Sequence, residues 1–123
     1  MAVQMFLREM LESKGYRTLG AINGQKAYEI LTSSSRVDLV LSDYHMPDSN
    51  GYELLKKLRD NEKTNQMPVI FLTAEANPEI MAMNKQLGYS AWIKKPYRAE
   101  LLFQEIKKIL PLNSIQWNLF SVM

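Results

Sequence analysis

Apolar residues recur along the chain with two periods, and the alternation between them predicts the architecture. Val3, Phe6, Leu7, Met10 and Leu11 fall at i, i+3, i+4, i+7 and i+8 and are followed by Gly15, so the chain opens with an amphipathic helix. Tyr16 to Ala21 is a short strand candidate; Asn23-Gly24 then turns into a second helix through Ala27, Tyr28, Ile30 and Leu31, which ends in Ser33-Ser34-Ser35. Val37 to Ser42 is rich in aliphatic residues and ends at Asp43. The loop Met46 to Gly51 leads into a helix carrying Leu54, Leu55 and Leu58. Pro68 to Thr73 is almost wholly apolar, as expected of a parallel strand covered on both faces, and Pro78 sits where a helix tolerates it, in the first turn. Ala91 to Ile93 is the next strand. Ala99, Leu102, Phe103, Ile106, Ile109 and Leu110 mark the last helix, which Pro111 stops. Strict alternation of buried strands and helices predicts an α/β fold, a three-layer sandwich around a central parallel sheet.

Composition narrows the chemistry. The 123 residues make room for one domain. Their 46% hydrophobic and 23% charged content is that of a folded globular chain, not a disordered one. Lys and Arg exceed Asp and Glu by two, and the basic residues are scattered instead of gathered in a stripe, so no nucleic-acid partner is expected. Without cysteine there is no thiolate nucleophile or Cys-ligated zinc, and one histidine, His45, cannot make a His-rich metal site. The first residues have neither the basic start nor the unbroken apolar stretch of a signal peptide, and no apolar run approaches membrane-spanning length; the expected location is the cytoplasm.

Open parallel sheets bind ligands beyond the carboxyl ends of their strands, which here means Asp43, Thr73 and Lys95. Singly, each is an ordinary cap or solvated residue. Together they place a carboxylate, a hydroxyl and an ammonium around one point, which suits transfer of a phosphoryl group to oxygen. In these residues the chain resembles the receiver domain of two-component response regulators: Asp43 in LVLSDYHMPDSNGYELLKKLR, Thr73-Ala74 in VIFLTAE, and Lys95-Pro96 in AWIKKPY. The resemblance runs from about residue 2 to 110. It implies a flavodoxin-like, CheY-like fold and a phosphorelay switch, not an enzyme, in which the phosphohistidine of a sensor histidine kinase or phosphotransfer protein donates its phosphoryl group to Asp43. Thr73, Ala74 and Lys95 would hold that group, and Lys95-Pro96 would be the family's cis peptide bond. His45 and Glu75 match the positions that set phosphate lifetime. Trp92 stands at the switch aromatic, moving with Thr73, although an immobile, half-buried aromatic fits equally well. The helix after Thr73, with Met81 and Met83, the Trp92 strand and the last helix would meet the downstream protein, unless the methionines are ordinary core.

Two departures follow from the same resemblance. The family's first strand, which ends in an acidic pair that holds Mg²⁺ with the phosphoacceptor, would fall before residue 1. Mg²⁺ would then rest on Asp43, the His45 backbone carbonyl and phosphoryl oxygens, with weakened affinity. That strand is interior in the family's sheet, so its slot must be filled. Residues 1–111 are therefore read as an N-terminally truncated receiver domain and residues 112–123 as a tail that is a candidate strand for the slot. Gln116, Asn118 and Ser121 oppose this, being polar where an interior strand should be apolar. Exchange of the tail between protomers, giving a homodimer, and an upstream strand outside this sequence are the alternatives. At the level of function, a degenerate receiver acting as a non-phosphorylated interaction module is the rival reading. A flavin or nucleotide binder of the same fold is opposed by the lack of a Gly-rich phosphate loop.

Overall fold

The computed structural model describes residues 2–33, 36–111 and 116–122, and the side chains of the first helix from Leu7 on. Val3 and Phe6, expected to face the core, and the tail's first residues thus lie outside what is described. The elements run α1 (Ala2–Ser13), β1 (Arg17–Ala21), α2 (Gly24–Leu31), β2 (Leu39–Ser42), α3 (Gly51–Arg59), β3 (Val69–Thr73), α4 (Pro78–Lys85), β4 (Ala91–Lys94), α5 (Ala99–Ile109) and β5 (Asn118–Val122). Helix starts are written into three asparagines. Asn23, Asn50 and Asn77 accept hydrogen bonds through their side chains from the backbone N–H of Lys26, Glu53 and Glu79 at 2.8, 3.0 and 2.8 Å, satisfying donors that a helix start otherwise leaves unpaired. Gly15, at φ +98°, ends α1 in a conformation that costs glycine nothing.

All strand pairs are parallel, in the order β1-β5-β2-β3-β4. The strand residues alternate between two cores, which places helices on both sides. Leu39, Leu41, Ile70, Leu72 and Leu119 pack with Leu7 and Leu11 of α1 and Leu102 and Ile106 of α5. Val40, Val69, Phe71, Phe120 and Val122 pack with Ala27 and Leu31 of α2 and Leu54, Leu55 and Leu58 of α3. No described helix is long and apolar enough to cross a membrane.

The tail strand β5 is interior. It pairs with β1 from Arg17↔Asn118 to Ala21↔Val122 and with β2 from Leu39↔Leu119 to Ser42↔Val122, in the place that the resemblance gives to an N-terminal strand. The polar residues that argued against this are each accommodated. Gln116 lies before the strand and donates to the Gly15 carbonyl at 2.7 Å. Asn118 is the first strand residue and only partly buried, so its side chain stays out of the core; its backbone is bracketed by Asp38, whose Oδ2 accepts the Asn118 N–H and whose N–H donates to the Asn118 carbonyl, both at 2.8 Å. Ser121 is buried, and its hydroxyl lies 3.5 Å from the Leu19 carbonyl. A small residue that can turn its hydroxyl to a neighbouring carbonyl is tolerated where a larger polar one is not.

Candidate functional site

Asp43 directly follows β2, and its position is set by β5, since its N–H donates to the Val122 carbonyl at 2.9 Å. Its carboxylate is three-quarters buried and engaged on both oxygens. Oδ2 meets Lys95 Nζ at 3.0 Å, and Oδ1 accepts the His45 N–H at 3.2 Å. Lys95 directly follows β4 and is joined to Pro96 by a cis bond, and its N–H donates to the Thr73 carbonyl at 2.9 Å, so the ends of β2, β3 and β4 meet at one point. Thr73 is fully buried at the end of β3, with its hydroxyl oxygen accepting the Glu75 N–H at 3.1 Å. Ala74 is exposed beside it. The structure thus pairs Asp43 with Lys95 and sets Thr73 and Ala74 at the neighbouring strand end, joined to Lys95 through the Thr73 carbonyl.

His45 and Glu75 also meet. His45 Nε2 lies 3.0 Å from Glu75 Oε1, a contact from the β2–α3 loop to the β3–α4 loop. The Asn77 N–H on the other Glu75 oxygen and the His45 ring hold the Glu75 carboxyl below its ordinary pKa. Trp92 is half-buried against Tyr44, Phe71 and Tyr89, with ring centroids 5.2, 5.2 and 5.4 Å away. Its indole N–H donates to the Glu75 carbonyl at 2.8 Å, tying β4 to the loop that follows Thr73. Met81 is partly covered and Met83 exposed, so neither is fully core.

Sequence reasoning passed over residues that fix the site's frame. Asp48 spans to α2, accepting the Gly24 and Gln25 N–H groups at 3.0 Å each; these bonds hold its carboxyl below the usual range. Gly51 opens α3 hard against the sheet, where a Cβ would lie 2.5 Å from Phe71 and 2.6 Å from Tyr44. Tyr44, next to Asp43, is buried and hydrogen-bonded to Asn84 of α4 at 3.0 Å. An open groove of about 670 Å³ adjoins the site, lined by Leu7, Met10, Ala74, Lys95, Pro96, Tyr97 and Ala99.

One edge of the parallel sheet thus gathers a carboxylate, a buried hydroxyl and an ammonium at its strand ends. Residues 1–107 match the response regulator receiver domain, and the chain belongs to that family. β5 lies outside the matched residues. Among relatives, the sporulation initiation phosphotransferase F of Bacillus subtilis is 33% identical over 112 residues, covering 91% of this chain and 88% of that protein. Among solved structures, the chemotaxis protein CheY4 of Vibrio cholerae superposes with a TM-score of 0.80 at 27% identity, over 89% of this chain and 90% of that one. The receiver domain of a signal transduction histidine kinase from Syntrophus aciditrophicus gives 0.79 at 31%, over 94% and 89%.

Receiver domains generally bind Mg²⁺ at an acidic pocket. The described residues here do not supply one: no three His, Cys, Asp or Glu side chains converge. Asp43 brings a single carboxylate, while the oxygens of Asp48 and Glu75 are committed to α2, His45 and Asn77. A cation that demands octahedral oxygen is poorly served by that set. Titration with Mg²⁺, read by Trp92 emission in a Trp117→Phe variant, is expected to show no saturation in the sub-millimolar range. Saturation there would mean that further carboxylates complete the site.

Proposed function

We propose that this receiver accepts a phosphoryl group on Asp43 from the phosphohistidine of a sensor histidine kinase or phosphotransfer protein, and signals through protein contacts on the face of α4, β4 and α5 around Trp92. The observation that carries this reading is the 3.0 Å Asp43–Lys95 pair beside buried Thr73, three strand ends converging on one carboxylate. In the transfer, an Asp43 carboxylate oxygen forms the new bond to phosphorus while the phosphorus–nitrogen bond breaks, and the departing imidazole takes up a proton. Lys95 screens the charge spread over the phosphoryl oxygens, the Thr73 hydroxyl donates to one of them, and the small side chain of Ala74 leaves its N–H accessible. His45 and Glu75, meeting at 3.0 Å, are placed to limit water at the acyl phosphate and so its lifetime. Mg²⁺ is assigned no step. The module works as a switch, not an enzyme, with protein partners and no nucleic acid, in the cytoplasm where such donors act.

The second reading, a receiver that is never phosphorylated and serves as an interaction module, is favoured by the single carboxylate at the site. Intact-mass measurement after acetyl phosphate decides. The expected result is one added phosphoryl group in the unmodified chain and none in Asp43→Asn. An adduct retained by Asp43→Asn overturns the assignment, and no adduct in either supports the interaction module.

A further inference from the structure

Helix α4 is attached to the sheet differently from the others. The α5 helix buries Leu102 and Ile106, and α3 buries three leucines, whereas Asn84 is the only fully buried residue of α4. Its Nδ2 donates to Tyr44 Oη at 3.0 Å and to the Ile80 carbonyl at 2.8 Å. Its Oδ1 is buried and, among the described residues, has no hydrogen-bond donor. Exchanging the two ends of the amide would set the oxygen against the Ile80 carbonyl and remove the donor to it, so a flip does not satisfy the amide. A buried acceptor without a donor weakens docking, because undocking returns it to water.

The anchor at the other end of this bond is closely packed. The Tyr44 ring lies against Phe71 and Trp92, and Gly51 approaches it too closely to carry a Cβ. The Tyr44 carbonyl accepts the Gly51 N–H at 2.6 Å. Tyr44 is also the residue after Asp43, so a displacement of the phosphoacceptor backbone moves the hydroxyl that holds α4.

We infer that Tyr44 and Asn84 form a polar latch that holds α4 on the sheet in the resting state, and that phosphorylation of Asp43 releases α4 through it. They are positioning residues: neither touches the phosphoryl group. The release rests on Asp43 being phosphorylated, as proposed above; the resting latch does not.

Hydrogen exchange of the α4 amides, compared with those of α3 and α5, tests both parts. In the resting protein, Tyr44→Phe is expected to speed α4 exchange about fivefold or more with α3 and α5 unchanged, the factor that a loss of about 1 kcal/mol gives. Tyr44→Phe/Asn84→Leu removes every polar atom of the latch and is expected to slow α4 exchange below that of the unmodified chain. After acetyl phosphate, α4 exchange should rise in the unmodified chain and stay fixed in the double variant, at equal adduct by mass. An α4 rate in Tyr44→Phe within about twofold of the unmodified chain, or an equal rise in α3 and α5, overturns the latch. A double variant that responds like the unmodified chain overturns the release. An unmodified chain without adduct overturns the release together with the reading of Asp43, while the resting rates still decide the latch.

Discussion

Removing residues 113–123 is expected to abolish cooperative folding. The deletion takes β5 from the interior of the sheet and leaves β1 and β2 facing an empty slot, each having lost its ladder on that side. It also removes Leu119, Phe120 and Val122, all at most 1% exposed, from the two cores. Truncating a single buried Leu or Phe typically costs about 2–5 kcal/mol, and a buried backbone group left unpaired about 1–3 kcal/mol. The combined loss exceeds the ~5–15 kcal/mol that holds a domain together. Near-ultraviolet circular dichroism and a thermal melt check this: the truncated chain should show no fixed aromatic signal and no sharp transition. A truncated chain that melts cooperatively at the temperature of the intact one would show that β5 contributes nothing. Phe120→Ala gives the graded version, with an expected loss of about 3–5 kcal/mol by denaturant titration. If instead the tail is exchanged between protomers, the intact chain should elute as a dimer whose melting depends on concentration.

Most of the scaffold was legible because its signals are redundant. Leu7, Met10 and Leu11 keep helical spacing, Val69 to Leu72 is apolar without a break, and Asn-Gly or Asn-Pro stands at three helix starts. Each segment carries several agreeing signals. β5 offered only Leu119, Phe120 and Val122 among polar neighbours, and what makes those neighbours tolerable is tertiary: the partly open start of the strand for Asn118, the Leu19 carbonyl for Ser121. Nothing local announces such partners. The same holds for α4. Ile80, Asn84 and Leu87 share a face at helical spacing, but a polar residue in the middle reads as exposed until Tyr44, forty residues away in sequence, is seen beneath it. At the site, Asp43, Thr73 and Lys95 were readable from strand ends alone, since parallel topology collects those ends on one edge. The commitments of Asp48 and Glu75 were not. A carboxylate in a loop carries no mark of whether it faces a cation, a helix start or a histidine, and that distinction decides how many oxygens are free for Mg²⁺.

Lys95→Ala should lower the rate of phosphoryl uptake by about 10²–10³-fold, the usual cost of removing one preorganised group that stabilises transition-state charge. The size of the effect follows from the site's charge balance. Among the described residues, Lys95 is the one cationic side chain paired with the Asp43 carboxylate, and a phosphoryl group arriving there brings more negative charge. With a single carboxylate and no acidic cage among the described residues, the ammonium is expected to carry the electrostatic work that would otherwise be shared. Stability should change little. The two side chains are 33% and 25% exposed, so the pair is partly screened and contributes at most about 1 kcal/mol to folding. Intact-mass time courses over a range of acetyl phosphate concentrations, run beside thermal melts, separate the two effects. The expected result is a slowed maximal rate with a melting temperature close to that of the unmodified chain. Lys95→Arg should recover only part of the rate, because a planar, longer guanidinium does not place its charge where the compact ammonium sits. Uptake by Lys95→Ala at the unmodified rate would show that Asp43 is phosphorylated without help from β4, and the convergence of strand ends would then have to be explained by folding alone.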